Sequence, residues 1–256
     1  MYEVKIDELL MLAVKAGDAI MEVYHQEFVV DLKEDLSPVT DADKRSNQIL
    51  VNGLQHFYPG IPIISEELKY TPYLKRKKWE YFWLIDPLDG TKEFIKRNGE
   101  FSINIALIHK NYPVIGIIYL PDKRTTYYAK QNEGSYKIDE NGEFHRIYAK
   151  MRPDPEKLVI VGSRSHTSAE LYAFVAEKRL EFKHVELVSC GSSIKFCRVA
   201  EGSANIYLRT GSTMEWDTAA GHAIVIESGK QVYIFNTNNT LTYNKESLRN
   251  EWFLVR

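Results

Sequence analysis

Two carboxylates stand three residues apart at the end of an apolar run in the first half of the chain. Residues 81–85 read Tyr-Phe-Trp-Leu-Ile, and Asp86 and Asp89 follow them, just before Gly90 and Thr91. Acids at the tip of a buried strand suit hard cations that take oxygen ligands. A Gly-Thr step that opens a helix offers free backbone N–H groups to an anion. This combination favours metal-assisted phosphoryl transfer, although Asp-Pro and Asp-Gly pairs are also ordinary turn residues.

Another pair of acids follows a second short apolar run. Glu66 and Glu67 come after the strand expected at 61–64. The gap of about 20 residues between Glu66 and Asp86 suits a crossover to a parallel neighbouring strand. In that arrangement Glu66 would join Asp86, whereas Glu67 is interpreted as a solvated loop acid.

Two more acids lie where helices are expected to begin. Asp217 precedes the small residues 219–221, which would let a helix approach a backbone or a ligand closely. Asp43 falls in the first turn of a helix that Thr40 or Asp41 would cap. Asp217 is thus open to a capping interpretation and to a functional one, whereas the functional interpretation of Asp43 places it in the first turn, facing the metal cluster.

Composition restricts the classes of function. Apolar residues make up 44% of the 256-residue chain, and Lys plus Arg (33) nearly balances Asp plus Glu (35). No basic face is implied, so no nucleic acid polymer is expected as a partner. Two cysteines are too few for a disulfide framework and predict reduced thiols in a cytoplasmic protein. Neither a signal peptide nor an apolar run of about 18–20 residues is present, so no transmembrane segment is expected.

Hydrophobic periodicity supplies the elements that must position these acids. In the first part of the chain it predicts two helices, at 6–24 and 42–57, over an antiparallel sheet with strands at 61–64, 81–85, 101–108, 114–120 and 125–129. After Pro153 and Pro155 strands and helices alternate, at 158–162, 167–178, 184–189, 192–201, 204–208 and 217–228, followed by strands at 231–235 and 252–255. The change predicts an N-terminal α+β domain at 1–154 and a C-terminal α/β domain at 155–256.

Four motifs, in this order, resemble the lithium-sensitive, magnesium-dependent phosphatases related to inositol monophosphatase. They are Ser-Pro-Val-Thr-x-Ala-Asp (37–43), Ser-Glu-Glu (65–67), Asp-Pro-Leu-Asp-Gly-Thr (86–91) and Trp-Asp-x-Ala-Ala-Gly (216–221). The resemblance runs through nearly the whole chain. It implies a mixed α/β fold, the layered αβαβα sandwich of the inositol monophosphatase and sugar phosphatase type.

One branch of that family is favoured by the residues between the motifs. Inositol monophosphatases usually continue with Asn-Phe after Gly-Thr, whereas this chain has Lys92-Glu93-Phe94. The stretches 92–101, 163–166, 191–202 and 207–209 resemble the bacterial 3'(2'),5'-bisphosphate nucleotidases. The chain beyond about residue 230 matches only loosely.

The resemblance also implies the residues of the site. Two or three Mg²⁺ ions are expected on Glu66, Asp86, the carbonyl of Leu88, Asp89 and Asp217. As catalytic residues, Thr91 and Asp43 are expected to take the proton from the attacking water, which Glu66 positions. Substrate contacts are expected from Glu66, Leu88, Asp89, Gly90, Thr91, His166, Ser192, Lys195, Arg209 and Asp217.

The expected activity is hydrolysis of the 3'-phosphate of adenosine 3',5'-bisphosphate to AMP and phosphate, with a link to sulfate assimilation. The 3'-phosphoadenosine 5'-phosphosulfate is a further candidate substrate. An inositol monophosphatase or a fructose-1,6-bisphosphatase-like sugar phosphatase is the alternative enzyme, and a non-catalytic nucleotide-binding protein is the alternative of another class. The protein is expected in the cytoplasm as a monomer or homodimer, and the resemblance also allows a peripheral position at the inner membrane.

Overall fold

The computed structural model describes residues 3–33, 36–150, 154, 156–165 and 168–256. The helices are α1 Ile6–Tyr24, α2 Asp41–Phe57, α3 Tyr73–Arg76, α4 Thr91–Ile95, α5 Ala169–Glu181, α6 Ile194–Ala200 and α7 Glu215–Glu227. The strands are β1 Val30–Leu32, β2 Pro38–Thr40, β3 Ile63–Ser65, β4 Tyr81–Asp89, β5 Ser102–His109, β6 Tyr112–Leu120, β7 Thr125–Lys130, β8 Gly134–Ile138, β9 Phe144–Ile147, β10 Lys157–Ser163, β11 His184–Cys190, β12 Ile206–Arg209, β13 Val232–Ile234 and β14 Phe253–Val255.

The first part of the chain forms a seven-stranded sheet in the order β3-β4-β5-β6-β7-β8-β9. Strand β3 runs parallel to β4, and every other neighbouring pair is antiparallel, as the sequence predicts. Because side chains alternate along a strand, Trp83 and Ile85 pack with helices α1 and α2, whereas Phe82 and Leu84 join the core on the opposite face.

The second part forms a five-stranded sheet in the order β11-β10-β12-β14-β13. Strands β11, β10 and β12 are parallel and are connected through α5 and α6, as expected of an α/β unit. Strand β14 runs antiparallel to both β12 and β13.

The two sheets and the helices stack in five layers. Helices α1 and α2 cover one face of the large sheet, α6 and α7 lie between the sheets, and α5 covers the outer face of the small sheet. The close approach of α7 depends on glycine, because a Cβ on Gly116 of β6 would lie 2.3 Å from the Ala220 carbonyl oxygen. A Cβ on Gly221 would lie 2.3 Å from the Phe196 ring. The expected αβαβα sandwich is confirmed, and Gly221 lets α7 lie close to the Phe196 side chain of α6.

Two local predictions need correction. The expected polar loop between the first two helices contains a short hairpin, in which Val30 pairs with Thr40. Helix α7 begins at Glu215, so Asp217 lies inside its first turn rather than before it.

The predicted division at residue 154 stays a prediction. The core between the sheets joins side chains from both sides of that position, such as Phe82 and Phe253. Both cysteines are buried and free, as expected. Among the described residues, no helix has the length and apolar character that crossing a bilayer requires.

Candidate active site

A bulge in β4 brings Asp86 and Asp89 to the same face of the sheet. Asp86 is opposite Asn104 of β5 and Asp89 is opposite Ser102, so β4 carries one more residue than β5 between these two pairs. Residues three apart on a regular strand point to opposite faces. The extra residue reverses this relation, and both carboxylates therefore face the space between the two sheets.

Three acids from three elements meet there. Carboxylate oxygens of Glu66, Asp86 and Asp217 lie within 4.8 Å of one another, where β3 ends, β4 bulges and α7 begins. Burial, reinforced by the neighbouring carboxylates, raises the pKa of Asp86 and Asp217 well above the ordinary value. Like charges this close repel unless a cation lies between them, so the donor set fits a hard divalent cation.

Asp43 and Asp217 each use one carboxylate oxygen to cap their own helix. Asp43 Oδ2 accepts from the backbone N–H and the hydroxyl of Thr40, both at 2.7 Å, and the Thr40 hydroxyl caps α2. Asp217 Oδ2 accepts from the Met214 N–H at 2.9 Å. Capping leaves the second oxygen of each carboxylate for the expected function, which stays a prediction.

The Gly90-Thr91 step shapes the floor of the site. Gly90 has φ = 94°, which lies in the left-handed region, and a Cβ there would be 3.0 Å from the Glu100 carbonyl oxygen. The Thr91 hydroxyl lies 3.2 Å from Asp43 Oδ1 and 3.3 Å from the Leu88 carbonyl oxygen, so it can donate to either. Thr91 thus connects Asp43 to the cleft.

Lys33 is a site residue that the sequence did not reveal. Its ammonium donates to Glu66 Oε1 at 2.7 Å and also to Glu67. The interpretation of Glu67 as a solvated acid is therefore wrong, since its side chain is only 13% exposed and is paired with Lys33. The lysine lies 33 residues before Glu66, and no local sequence pattern predicts this contact.

Asp89 is held from the second part of the chain. The Ser193 hydroxyl donates to Asp89 Oδ2 at 2.8 Å, lies 3.0 Å from the Asp217 carbonyl oxygen and accepts from Asn104 Nδ2 at 2.9 Å. Burial raises the pKa of Asp89, while Lys195 and the hydrogen bonds oppose the increase. Neither Ser193 nor Asn104 was predicted as a site residue, although Ser193 adjoins the predicted Ser192.

The opposite wall carries the cations Lys195 and Arg209. Buried Lys195 donates to the Ser192 carbonyl oxygen at 2.5 Å, and Arg209 Nη2 donates to the Ser212 carbonyl oxygen at 3.0 Å. Among the described residues, buried Ser192 Oγ and Arg209 Nε have no hydrogen-bond partner. Burial lowers the pKa of Lys195, although the nearby Asp89 opposes this. Ser192 Oγ and Arg209 Nε are therefore placed to contact a ligand that enters the cleft.

Most of these groups line one cleft of about 290 Å³ between the two sheets. Among the predicted residues, the cleft lining includes Glu66, Asp86, Leu88, Asp89, Gly90, Thr91, Ser192, Lys195, Arg209 and Asp217. Asp43 reaches the cleft through Thr91, and His166 lies outside the described residues. Ser165 and Glu93, which sequence reasoning did not assign, also line the cleft, and the serine hydroxyl donates to Glu93 Oε1 at 2.5 Å.

Known proteins resemble the chain over nearly its full length. The model of the inositol monophosphatase family matches residues 3–251. The 3'(2'),5'-bisphosphate nucleotidase CysQ of Salmonella typhimurium is 43% identical over 253 residues, 98% of each chain. The corresponding protein of Escherichia coli K12 is 42% identical over the same length.

Solved structures agree with this. The crystal structure of CysQ from Bacteroides thetaiotaomicron, a bacterial member of the inositol monophosphatase family, has a TM-score of 0.87 at 39% identity and covers 99% of this chain and 98% of its own. An inositol monophosphatase of Thermotoga maritima shares the fold, with a TM-score of 0.77 at 23% identity over 98% of this chain and 91% of its own. The predicted resemblance is therefore confirmed, and the chain belongs to the inositol monophosphatase family.

Proposed function

We propose that the protein is a Mg²⁺-dependent phosphatase that removes the 3'-phosphate of adenosine 3',5'-bisphosphate, giving AMP and inorganic phosphate. The observation that carries the proposal is the division of one cleft into an acidic end and a basic wall. Glu66, Asp86 and Asp217 form the acidic end, whereas Lys195 and Arg209 lie on the wall. A substrate with two phosphates matches this division, and the names of the full-length relatives support the same activity.

The acidic end would hold two or three Mg²⁺ ions, on Glu66, Asp86, Asp89, Asp217 and the Leu88 carbonyl. Bound Mg²⁺ supplies electrostatic stabilisation to the phosphoryl group and the departing oxygen. Oxygen-only donors suit this ion. The backbone N–H groups of Gly90 and Thr91 would hold the 3'-phosphate at the start of α4.

The chain's own groups would handle the proton of the attacking water. Glu66 orients that water, and the Thr91 hydroxyl accepts its proton while passing its own to Asp43 Oδ1, 3.2 Å away. Asp43 suits this role because burial raises the pKa of its carboxyl group, which makes it a better base than an exposed aspartate. The bond from phosphorus to the 3'-oxygen breaks, the 3'-oxygen takes a proton from solvent water, and AMP and inorganic phosphate leave.

The basic wall would select the nucleotide. Arg209 and Lys195 would contact the 5'-phosphate, and Arg209 Nε and Ser192 Oγ would gain the partners that they lack in the described part of the chain. His166 would contact the nucleoside. Two buried free thiols fit a reducing compartment, and we place the enzyme in the cytoplasm.

A substrate panel tests the proposal. We expect phosphate release from adenosine 3',5'-bisphosphate to exceed release from inositol 1-phosphate and fructose 1,6-bisphosphate, to require Mg²⁺ and to fall with Li⁺. Including 3'-phosphoadenosine 5'-phosphosulfate shows whether a 5'-phosphosulfate is accepted. Faster hydrolysis of inositol 1-phosphate or of the sugar bisphosphate would refute the nucleotide assignment, and binding of the nucleotide without turnover would refute the enzyme.

The basic wall has its own test. Arg209→Ala should raise KM for adenosine 3',5'-bisphosphate about tenfold or more, because a desolvated charge-assisted pair is lost. The same variant should leave KM for 3'-AMP nearly unchanged, since that substrate has no 5'-phosphate. Arg209→Lys serves as the control that retains the charge. An equal increase in KM for both substrates would show that Arg209 does not determine the preference for the 5'-phosphate.

A further inference from the structure

A second cleft, of about 530 Å³, lies on the other side of the small sheet. Side chains alternate along β12, so Tyr207 and Arg209 line the first cleft, whereas Leu208 packs under α5. The second cleft is bordered by the second half of α5, by β13 and its following turn, and by the end of β14. It is therefore separate from the candidate active site.

Aromatic side chains form much of its wall. Phe174 and Phe235 are in edge-to-face contact, with ring centroids 6.3 Å apart. Phe182 and Tyr233 also line the cleft, and the Arg256 guanidinium lies over the Tyr233 ring, 5.0 Å from its centroid. Such walls accept a planar ring, because offset and edge contacts between rings are favourable.

The charged side chains in this cleft are three cations, Lys178, Lys230 and Arg256, and two acids, Glu177 and Glu181. Lys178 donates to Glu181 at 2.7 Å and to Glu177 at 3.3 Å, so the two acids of α5 share one lysine. The half-buried Lys230 has no acid partner among the described residues. Burial lowers the pKa of its ammonium, and no carboxylate opposes that shift.

Lys230 lines the cleft, so its ammonium is available to an anion that enters. We propose that this cleft binds a small organic anion that carries a planar ring, with its anionic group at Lys230 and its ring among Phe174, Tyr233 and Phe235. The cleft volume is within the range of small-molecule sites. Two kinds of compound share this chemistry, namely aromatic carboxylates and mononucleotides. The proposal does not depend on the substrate of the first cleft.

Calorimetric titration with 2-naphthoate, in EDTA, tests the site. We expect saturable binding to the wild-type protein, a Kd at least about tenfold higher for Lys230→Met, and little change for Lys230→Arg. The control Lys75→Met removes an exposed cation on α3 and should leave the Kd unchanged. The neutral analogue 2-naphthalenemethanol should bind at least about tenfold more weakly than the carboxylate.

Competition with AMP then separates the two sources of the anion. Displacement of 2-naphthoate by AMP, equal in the wild-type protein and in Arg209→Ala, assigns the site to nucleotides, and absence of displacement assigns it to aromatic carboxylates. Absence of saturable 2-naphthoate binding, or an unchanged Kd in Lys230→Met, would overturn the proposal. A clearly lower Tm for Lys230→Met would also overturn it, because the ammonium would then serve the fold.

Discussion

Asp43 and Asp217 occupy the same position, the third residue, in helices from different parts of the chain. Each gives one oxygen to an N–H at the start of its own helix. The cap fixes the rotation of the carboxyl group, so the remaining oxygen is already oriented before any ligand arrives. The helix-capping hydrogen bond thus orients the carboxyl group, and no separate residue is needed to hold it in place.

Neutral replacement of a clustered acid should abolish turnover. Asp86→Asn and Asp217→Asn keep the shape of the side chain but remove a charge that Mg²⁺ requires, and kcat should fall at least about a thousandfold. The measurement is phosphate release at saturating Mg²⁺, with circular dichroism to check folding.

The chain offers a matched control for this experiment. Asp139, Glu143 and His145 also bring ligand atoms within 4.8 Å of one another, on the β8–β9 hairpin and outside the cleft. Asp139→Asn should therefore retain turnover. Activity near the wild-type level in Asp86→Asn or Asp217→Asn would contradict the placement of the metal centre.

His222 should make stability depend on pH. It is buried in α7 between the Tyr243 hydroxyl and Gln231 Oε1, and burial lowers its pKa to about 4. Because the unfolded state binds the proton more readily, stability is lost as pH falls from about 6.5 towards 4, by roughly 3 kcal/mol in total. Urea unfolding at pH 7.5 and 5 measures the change.

The carboxylates with raised pKa values have the opposite effect, because they add stability as pH falls. The contribution of His222 must therefore be isolated by comparing the wild type with a variant. His222→Gln, which can keep hydrogen bonds in the same place, should lose less stability than the wild type on going from pH 7.5 to 5. If both proteins lost the same free energy of unfolding between pH 7.5 and 5, His222 would not cause the pH dependence.

At the scale of elements, the packing of α7 on the large sheet sets the distance from Asp217 to Glu66 and Asp86. Its approach depends on Gly116, as the contact distance to Ala220 shows. Gly116→Ala should destabilise the protein by about 1–3 kcal/mol and weaken Mg²⁺ binding, because the helix must move outward.

Denaturant unfolding and Mg²⁺ titration measure the two effects of Gly116→Ala. At Gly211 an added Cβ would make only ordinary contacts, at 3.4 Å. Gly211→Ala is therefore the matched control for stability. Gly116→Ala with unchanged stability would show that α7 has more freedom than the packing indicates.

Most of the elements could be predicted from the sequence, because their apolar periods are long and regular. The helix at 6–24 and the parallel pairing of the 61–64 and 81–85 regions are examples. The bulge between Asp86 and Asp89 could not, since it depends on hydrogen bonding with β5. The Lys33 contact and the unpartnered atoms of Ser192 and Arg209 also depend on residues distant in sequence.

On the scale of the whole molecule, the cluster connects the large sheet to the helix layer between the sheets. Glu66 and Asp86 come from the large sheet, whereas Asp217 comes from the helix between the sheets. Without a cation, repulsion among these acids destabilises the folded protein. A divalent cation bound between them would replace this repulsion by attraction.

Mg²⁺ should therefore raise Tm. At a concentration 100 times Kd, binding to the folded state alone contributes about 2.7 kcal/mol. Differential scanning calorimetry with and without Mg²⁺ measures the shift, and Asp86→Asn should show a much smaller one. An equal increase in Tm for the wild type and for Asp86→Asn would show that the ion binds at another site.

The extra residue in β4 restricts the length of the neighbouring strand β5. One residue inserted between Ser102 and Asn104 would make the paired stretches equal, restore a regular pleat and turn Asp89 towards the layer of α1 and α2. A chain altered in this way would retain every acid and every other motif residue, yet it would lose Asp89 from the cleft. Spacing is therefore as strict a requirement here as residue type, and a relative with an insertion at this point of β5 should be examined for lost catalysis even when its motifs look intact.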